Sequence, residues 1–449
     1  MTPYKSGDSY IAILPPTEGT DALEIRLTVT VDGVETPLTA SAPGALQKGK
    51  HYSYSLKVGK DVATFSGVEV EPWGTGTAPE IDKSEEIIYT VAVSGTAATV
   101  EILPAATATH ISEAIGKVYE TSGITDIVVT TALTADQQAA LATALTDKTV
   151  TLYLPQVTTA SLAAALQSET DNITVVCGVA PADAVKGDVA MLDGTFIPVA
   201  ELDKMSNYLK SQASGIVFWT TAETTTEGRT TPAKLTDDVI MATDFPNCTH
   251  GLIVSLTDAS ASCAWQGVLE NNKTKNSEAV YENFQNTDFF TLANKDKYET
   301  IKADEEATGN VNKILGYQST QVLRAYNKYC TETDGKAEYI VKAVTAIDQW
   351  ALSNPAPANT TGWFLPSLKE LHMLCYKDVD NIWGVEGTET KTFVNGLLEK
   401  VGGNQFGNEY YWPSLEYGTS QCISQDFQDG NHAWQAKGIL NKVRAVCAF

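Results

Sequence analysis

Apolar and polar positions alternate strictly over Leu23–Val31, where Leu23, Ile25, Leu27, Val29 and Val31 fall on one side. They alternate again towards Val58, with Tyr52, Tyr54, Leu56 and Val58 in register. A period of two predicts half-buried strands. Asp32-Gly33, just after the first run, is a residue pair favoured in tight hairpin turns. Tyr10–Leu14, closed by Pro15-Pro16, and the Val68–Gly74 run complete an all-β unit over residues 1–79. Gly74–Asp82 has the Gly, Thr and Pro content of a linker.

The grammar then changes. Ser112–Tyr119, Thr134–Leu145 and Thr159–Leu166 predict helices, with Thr134 placed as an N-cap. Asp126–Thr130, Thr149–Leu154 and Asn172–Val176 predict short strands between them. Strands restart about every 23 residues, which predicts a small α/β repeat module of right-handed crossovers over 83–178. Its Ala-rich helices hold no His, no Cys and no phosphate-cradling glycine loop, so a spacer role is expected.

From about Gly187 the pattern predicts one domain running to the end, over 185–449. Gly187–Phe196 is a hairpin about Asp193-Gly194, and Ser214–Thr220 and Thr249–Leu256 are buried strands. Ile314–Cys330 and Glu338–Leu352 are helical, the second with Val341, Val344, Ile347 and Ala351 on one stripe. A third helix begins after Ser367, its N-cap.

Two kinds of position mix in the last forty residues. Tyr410, Tyr411, Trp412, Phe427, Gly430, Val443, Val446 and Phe449 form a stiff apolar frame. Between them 418–421, 424–426, 431–436 and 438–441 have no helical or strand period and predict surface loops or half-exposed strand faces. A rigid frame carrying irregular side chains is how a binding surface is built. The candidate ligand contacts are Tyr417, Thr419, Ser420, Gln421, Gln425, Asp426, Gln428, His432, Trp434, Gln435, Ile439 and Leu440. Trp434, between Ala433 and Gln435, is the best anchor, because Trp gives large contact area at low entropy cost. A shallow patch is expected there; the competing reading folds Trp434 back onto the domain.

Charge and cysteine content remove several functions. A formal net charge of −24 over 449 residues argues against nucleic acid or anionic membrane as partners. No run is long and apolar enough to span a membrane, and no signal peptide is visible. The start, Met1-Thr-Pro-Tyr4, reads as that of a fragment whose native beginning has been removed. Seven scattered cysteines form no CxxC and no even framework, so buried thiols are expected, with Cys248–Cys263 the one pair that could be bridged. No hydrolase, metalloprotease or P-loop motif occurs. His51, His110, His250, His372 and His432 lie far apart in sequence and read as structural. Asp378-Val-Asp380 opens like a calcium loop, but Ile382 stands where an oxygen ligand is needed. No metal, no cofactor and no enzymatic activity are expected.

Three stretches resemble known families. The tail keeps Tyr410, Tyr411, Trp412, Ser414, Glu416, Tyr417, Phe427, Gly430, Lys437, Val443, Arg444, Ala445, Val446, Ala448 and Phe449 at the spacing of C-type-lectin-like domains whose tails are rewritten by diversity-generating retroelements. It departs at Pro413, Leu415, Cys422 and Ile423. Gly187-Asp188, Asp193–Phe196, Gly215–Trp219, His250–Leu252, Trp363–Leu371 and Val443–Phe449, in that order, resemble the related formylglycine-generating-enzyme domain. Leu46-Gln-Lys-Gly49-Lys-His-Tyr52-Ser-Tyr54 with Trp73-Gly74 resembles the final strands of fimbrillins, the type V pilins of Bacteroidetes. Together these resemblances imply an α+β multidomain chain: a β-sandwich-like fimbrillin fragment, an α/β repeat module and a C-type-lectin-like head. They imply an extracellular, pilus-associated adhesin at the cell surface, placed at the fimbrium tip. Its partners would be other pilus subunits and a protein or glycan ligand on host or neighbouring bacterial cells. The alternatives are a phage receptor-binding protein with the same head, or a degenerate enzyme-related domain.

Overall fold

The computed structural model describes residues 88–156, 172–223 and 232–449 in full and, before them, the backbones of strands within 4–72. The chain divides into two units, Met1–Glu86 and Ile87–Phe449. In the first, β1 (Tyr4–Ser6) pairs with β2 (Ser9–Ile11), β3 (Leu23–Val31) with β4 (Val34–Ala42), and β5 (Lys50–Val58) with β6 (Ala63–Pro72). Val31 faces Val34 in the β3–β4 register; the expected Asp32-Gly33 turn between them lies outside the described residues. The expected linker at 74–82 and the expected helix Thr159–Leu166 lie outside the described residues.

The second unit opens with a five-stranded sheet. β7 (Tyr89–Ser94) and β8 (Ala97–Ile102) form a hairpin, and β9 (Asp126–Val129), β10 (Val150–Leu154) and β11 (Ile173–Cys177) follow β8 in parallel, in the order β11-β10-β9-β8-β7. The strands start 24 and 23 residues apart from β9 to β11, close to the expected repeat. Thr134 caps the Ala135–Ala144 helix by accepting from Gln137 N, and Gln137 reaches back to Thr134 N, a reciprocal capping box. Both sheet faces are buried, which explains apolar runs without alternation. Ile127, Leu152 and Val175 face the helices, whereas Val128, Tyr153 and Val176 share a core with Val189, Ile197, Leu202 and Leu209 further on.

Beyond it lies an eight-stranded sheet. Its strands are β12 (Val189–Met191), β13 (Phe196–Ile197), β14 (Ala213–Thr220), β15 (Gly251–Ala264), β18 (Tyr410–Tyr411), β19 (Gln421–Asp426), β20 (His432–Ala436) and β21 (Leu440–Ala448). A separate small hairpin joins β16 (Val268–Glu270) to β17 (Lys273–Lys275). The large sheet runs β13-β12-β14-β15-β21-β18-β19-β20, so the tail strands occupy its centre and one edge.

Strict alternation divides two cores. Phe218, Leu252, Val254, Val446 and Ala448 face the helices Leu368–Cys375 and Glu389–Val401. Val217, Ile253, Ala445, Cys447 and Phe449 face the helices Gly316–Glu332 and Lys342–Ala351. Of the expected stripe, Val341, Val344 and Ile347 are fully buried in this second core and Ala351 packs against it half-buried. Ser367 caps its helix with Glu370 as the returning partner, as expected. The architecture is therefore mixed α+β with several sheets. All seven cysteines are free: Cys248 Sγ lies against Asn359 O and Cys263 Sγ against Ala264 O, so the pair considered from sequence is not bridged.

Candidate ligand-binding surface

The tail is stitched to the fold at three places. Phe449 is buried, its ring 4.7 Å from Phe196, and its carbonyl accepts from His250 N at 2.8 Å. Gly251 passes so close that an added Cβ would lie 2.8 Å from the Phe449 ring, so no larger residue fits there. Arg444 is wholly buried and spends its donors on Ser255 O, Leu256 O, Asn404 O and Asp258 Oδ1, with its plane over Phe406. Lys437 and Glu416 form an ion pair at 2.5 Å with both side chains inaccessible to solvent.

That pair is fully satisfied. Lys437 Nζ also donates to Glu278 O at 2.7 Å and to Gln266 Oε1 at 3.3 Å, and lies over the Trp265 ring. Glu416 accepts from Val280 N and Tyr281 N at 3.1 and 2.8 Å. Burial pushes the Glu416 carboxyl up, and Lys437 and the two amides oppose it. A buried pair survives only with this completeness, because each ion loses its hydration. Trp265 donates to Pro413 O and Trp412 to Cys263 O, both at 2.8 Å, so the two buried indoles are pinned as well.

On this frame β19 and β20 form a hairpin. Phe427 turns into the core against Tyr411 and Phe406, at 4.5 and 5.1 Å between ring centres. Gly430 has φ +87°, and an added Cβ would sit 2.7 Å from Gly387 O, so the turn needs glycine.

The displayed positions separate sharply. Tyr417, Thr419, Ser420, Gln421, Gln428, Trp434 and Leu440 are exposed. Asp426, His432, Gln435 and Ile439 are half-buried; Asp426 accepts from Gln428 N and Gln435 accepts from Asn441 Nδ2. Gln425 is a correction: it is fully buried, and its amide donates to Gly430 O, Asn431 O and Asp426 O. The inward turn leaves those carbonyls without water, and Gln425 supplies the donors. Of the runs expected as loops or half-exposed strand faces, 431–436 is a half-exposed strand from His432 on, whereas 424–426 is strand with Ser424 and Gln425 buried.

Nor do the twelve residues form one patch. Ile423, opposite Trp434, packs with Val311, Leu368 and Ile382, while its neighbour Cys422 packs on the other side with the Trp265 cluster. Ile439 joins that second side and, with Leu440, borders an open groove of about 650 Å³ against Cys263, Val268, Leu269 and Lys342.

Trp434 is 46% exposed, yet it has a partner: its ring lies 5.4 Å from Trp383 and within 4° of parallel. Its Nε1 donates to Glu305 Oε1 at 3.2 Å, and Tyr417 stands edge-on at 6.3 Å. Trp383 in turn meets His432 edge-on at 4.8 Å, and His432 stacks on His372 at 5.4 Å. A ladder of rings thus runs from the surface into the core. Trp383 and the imidazole pair were missed in sequence, since His372 and His432 are sixty residues apart and nothing local joins them.

Neither imidazole has a hydrogen-bond partner on either ring nitrogen. Burial lowers His432 to about 4 and holds His372 well below its ordinary value; Asp429 opposes the shift at His432, and Lys369 adds to it at His372. Both depressed groups bind more protons unfolded, so their stabilisation is complete above about pH 6.5 and declines as pH falls, that of His432 being lost towards about 4. Thermal midpoints of the wild type and His432→Phe should therefore diverge between pH 7 and pH 4, the wild type losing more. A pH-independent difference would contradict a neutral buried imidazole. Among the described residues no cluster of His, Cys, Asp or Glu suits a metal ion, and no helix is long and apolar enough to cross a membrane.

Comparison with known proteins places part of the chain. Over 240 residues it is 28% identical to a Bacteroides ovatus protein described by name as a fimbrium tip subunit, Fim1C, covering 51% of this chain and 38% of that protein. The chain thus spans well under half the length of that curated relative. A crystal structure of a fimbrial protein from the same species matches 62% of this chain and 50% of its own, at 21% identity and a TM-score of 0.43. Residues 1–73 match the family model described as fimbrillin-like, and the expectation of a fimbrillin segment at the start of this chain holds.

Proposed function

We propose that this chain is a subunit of a cell-surface fimbrium and that its C-terminal region acts as an adhesin head. The fimbrillin-like match over residues 1–73 and the similarity to a protein named as a fimbrium tip subunit support the subunit reading, with other pilus subunits as partners. The curated relative is named for a fimbrium rather than for a reaction, in keeping with a protein that binds rather than catalyses. The head reading takes the 185–449 region as C-type-lectin-like and the exposed tail positions as those a diversifying retroelement would vary. The observation that carries it is Trp434 and Tyr417, two large exposed rings on a frame whose buried Glu416, Lys437 and Arg444 are all ion-paired. Exposed aromatics on rigid strands are typical anchors.

The test is adhesion. Fluorescently labelled protein is incubated with cultured epithelial cells and with cells of other bacteria. Trp434→Ser with Tyr417→Ser should abolish binding while the thermal midpoint stays close to wild type. Retained binding would move the site away from the tail.

A further inference from the structure

We infer that the Trp434 platform takes a neutral sugar ring. This rests on the reading that the tail binds ligand, and it names the ligand class. Three features carry it. The first is shape. Trp434 is braced from behind by the parallel Trp383 ring, and Tyr417 rises beside it at 75°. A braced indole with an upright wall offers one flat face and one edge. Sugar C–H groups carry partial positive charge and settle on the electron-rich face of such a ring.

The second feature is size. Trp434 is 46% and Tyr417 41% exposed, so the two rings present roughly 200 Å² of aromatic surface. A protein partner needs about 800 Å² on each side, with an apolar centre. Ile439 and Leu440 cannot enlarge the patch, because they border the groove by Val268 and Leu269 instead. One or two pyranose rings match the available area.

The third is charge. Glu305 accepts from the Trp434 indole and is half-buried, between exposed Asp304 and Glu306. A carboxylate beside the platform accepts sugar hydroxyls and repels carboxylated or sulfated glycans. Lys302 is exposed, lies over the Tyr281 ring and interacts electrostatically with Tyr417, so the one basic group here is on the Tyr417 side and Glu305 alone is bonded to the Trp434 indole. Thr419, Ser420 and Gln421 are exposed beyond Tyr417 and supply short polar groups for the sugar rim.

The test uses the full chain with 5-fluorotryptophan at its eight Trp positions, read by fluorine NMR. The Trp434 signal is assigned with Trp434→Phe. Methyl α-mannoside, methyl β-galactoside and methyl N-acetyl-β-glucosaminide are titrated to about 50 mM, a range suited to millimolar affinity, with N-acetylneuraminic acid as the anionic comparison. At least one neutral glycoside should shift the Trp434 signal saturably, N-acetylneuraminic acid should not, and Glu305→Gln should weaken binding about tenfold. No shift with any neutral glycoside, or a preference for the acidic sugar, overturns the inference. If cell binding is still lost on Trp434→Ser with Tyr417→Ser, the tail reading stands with a different ligand; if binding is retained, that reading fails too.

Discussion

Replacing Lys437 by Met should lower stability by about 3–5 kcal/mol, because the Glu416 carboxylate would be left buried without its counter-ion. Lys437 and Glu416 are completely inaccessible, and the ammonium also satisfies Glu278 O and Gln266 Oε1. The damage should not stay local. Glu416 accepts from Val280 N and Tyr281 N, and its own backbone is bonded to Ile301 and Ala303. Adding Glu416→Gln to Lys437→Met should recover part of the loss, since a neutral amide is cheaper to bury than a lone carboxylate. Urea unfolding of the three proteins checks both statements. A single variant as stable as wild type would mean that the pair is dispensable to the frame.

The second large effect is at Trp412. Truncation to Ala should cost about 3–5 kcal/mol. The ring is fully buried among Trp265, Val443 and the Gly316–Glu332 helix side of the sheet, and its Nε1 satisfies Cys263 O. Both the apolar contact and the hydrogen bond go together, and the cavity cannot close because Trp265 is itself pinned to Pro413 O. Phe449→Ala should lose a similar amount. Wild-type thermal midpoints in both variants would show that the tail is not core.

Much of this fold was legible because its signals are local. The N-caps Thr134 and Ser367 are read from their immediate neighbours, and the capping boxes they head span four residues each. The repeat spacing from β9 to β11 survives in the strand starts. The Glu389–Val401 helix went unread although Val394, Leu397, Leu398 and Val401 mark its buried face, because Thr388 gives no side-chain cap and polar residues fill the first turn.

The site was legible only in part, for a different reason. Frame residues such as Tyr411, Trp412 and Val446 declare themselves by size and apolarity. Gln425 does not. It is a polar residue in a strand, indistinguishable in sequence from exposed Gln421, and only the inward hairpin turn gives its amide three carbonyls to serve. Trp383 stands in a loop far from the tail, and its parallel stack beneath Trp434 exists only once the sheet is assembled. Trp434 therefore combines both readings weighed in sequence: it folds onto the domain through one face and still offers surface.

The central claim is that the tail separates a frame that carries stability from positions that carry display. One measurement tests it directly: equilibrium unfolding of a variant with Tyr417, Thr419, Gln421, Gln428 and Leu440 all replaced by Ser. All five are exposed. The account predicts a cooperative transition with a total loss under about 2.5 kcal/mol, since five such surface changes each stay within about half a kcal/mol. A loss as large as that of Trp412→Ala, or a transition that is no longer cooperative, would contradict it.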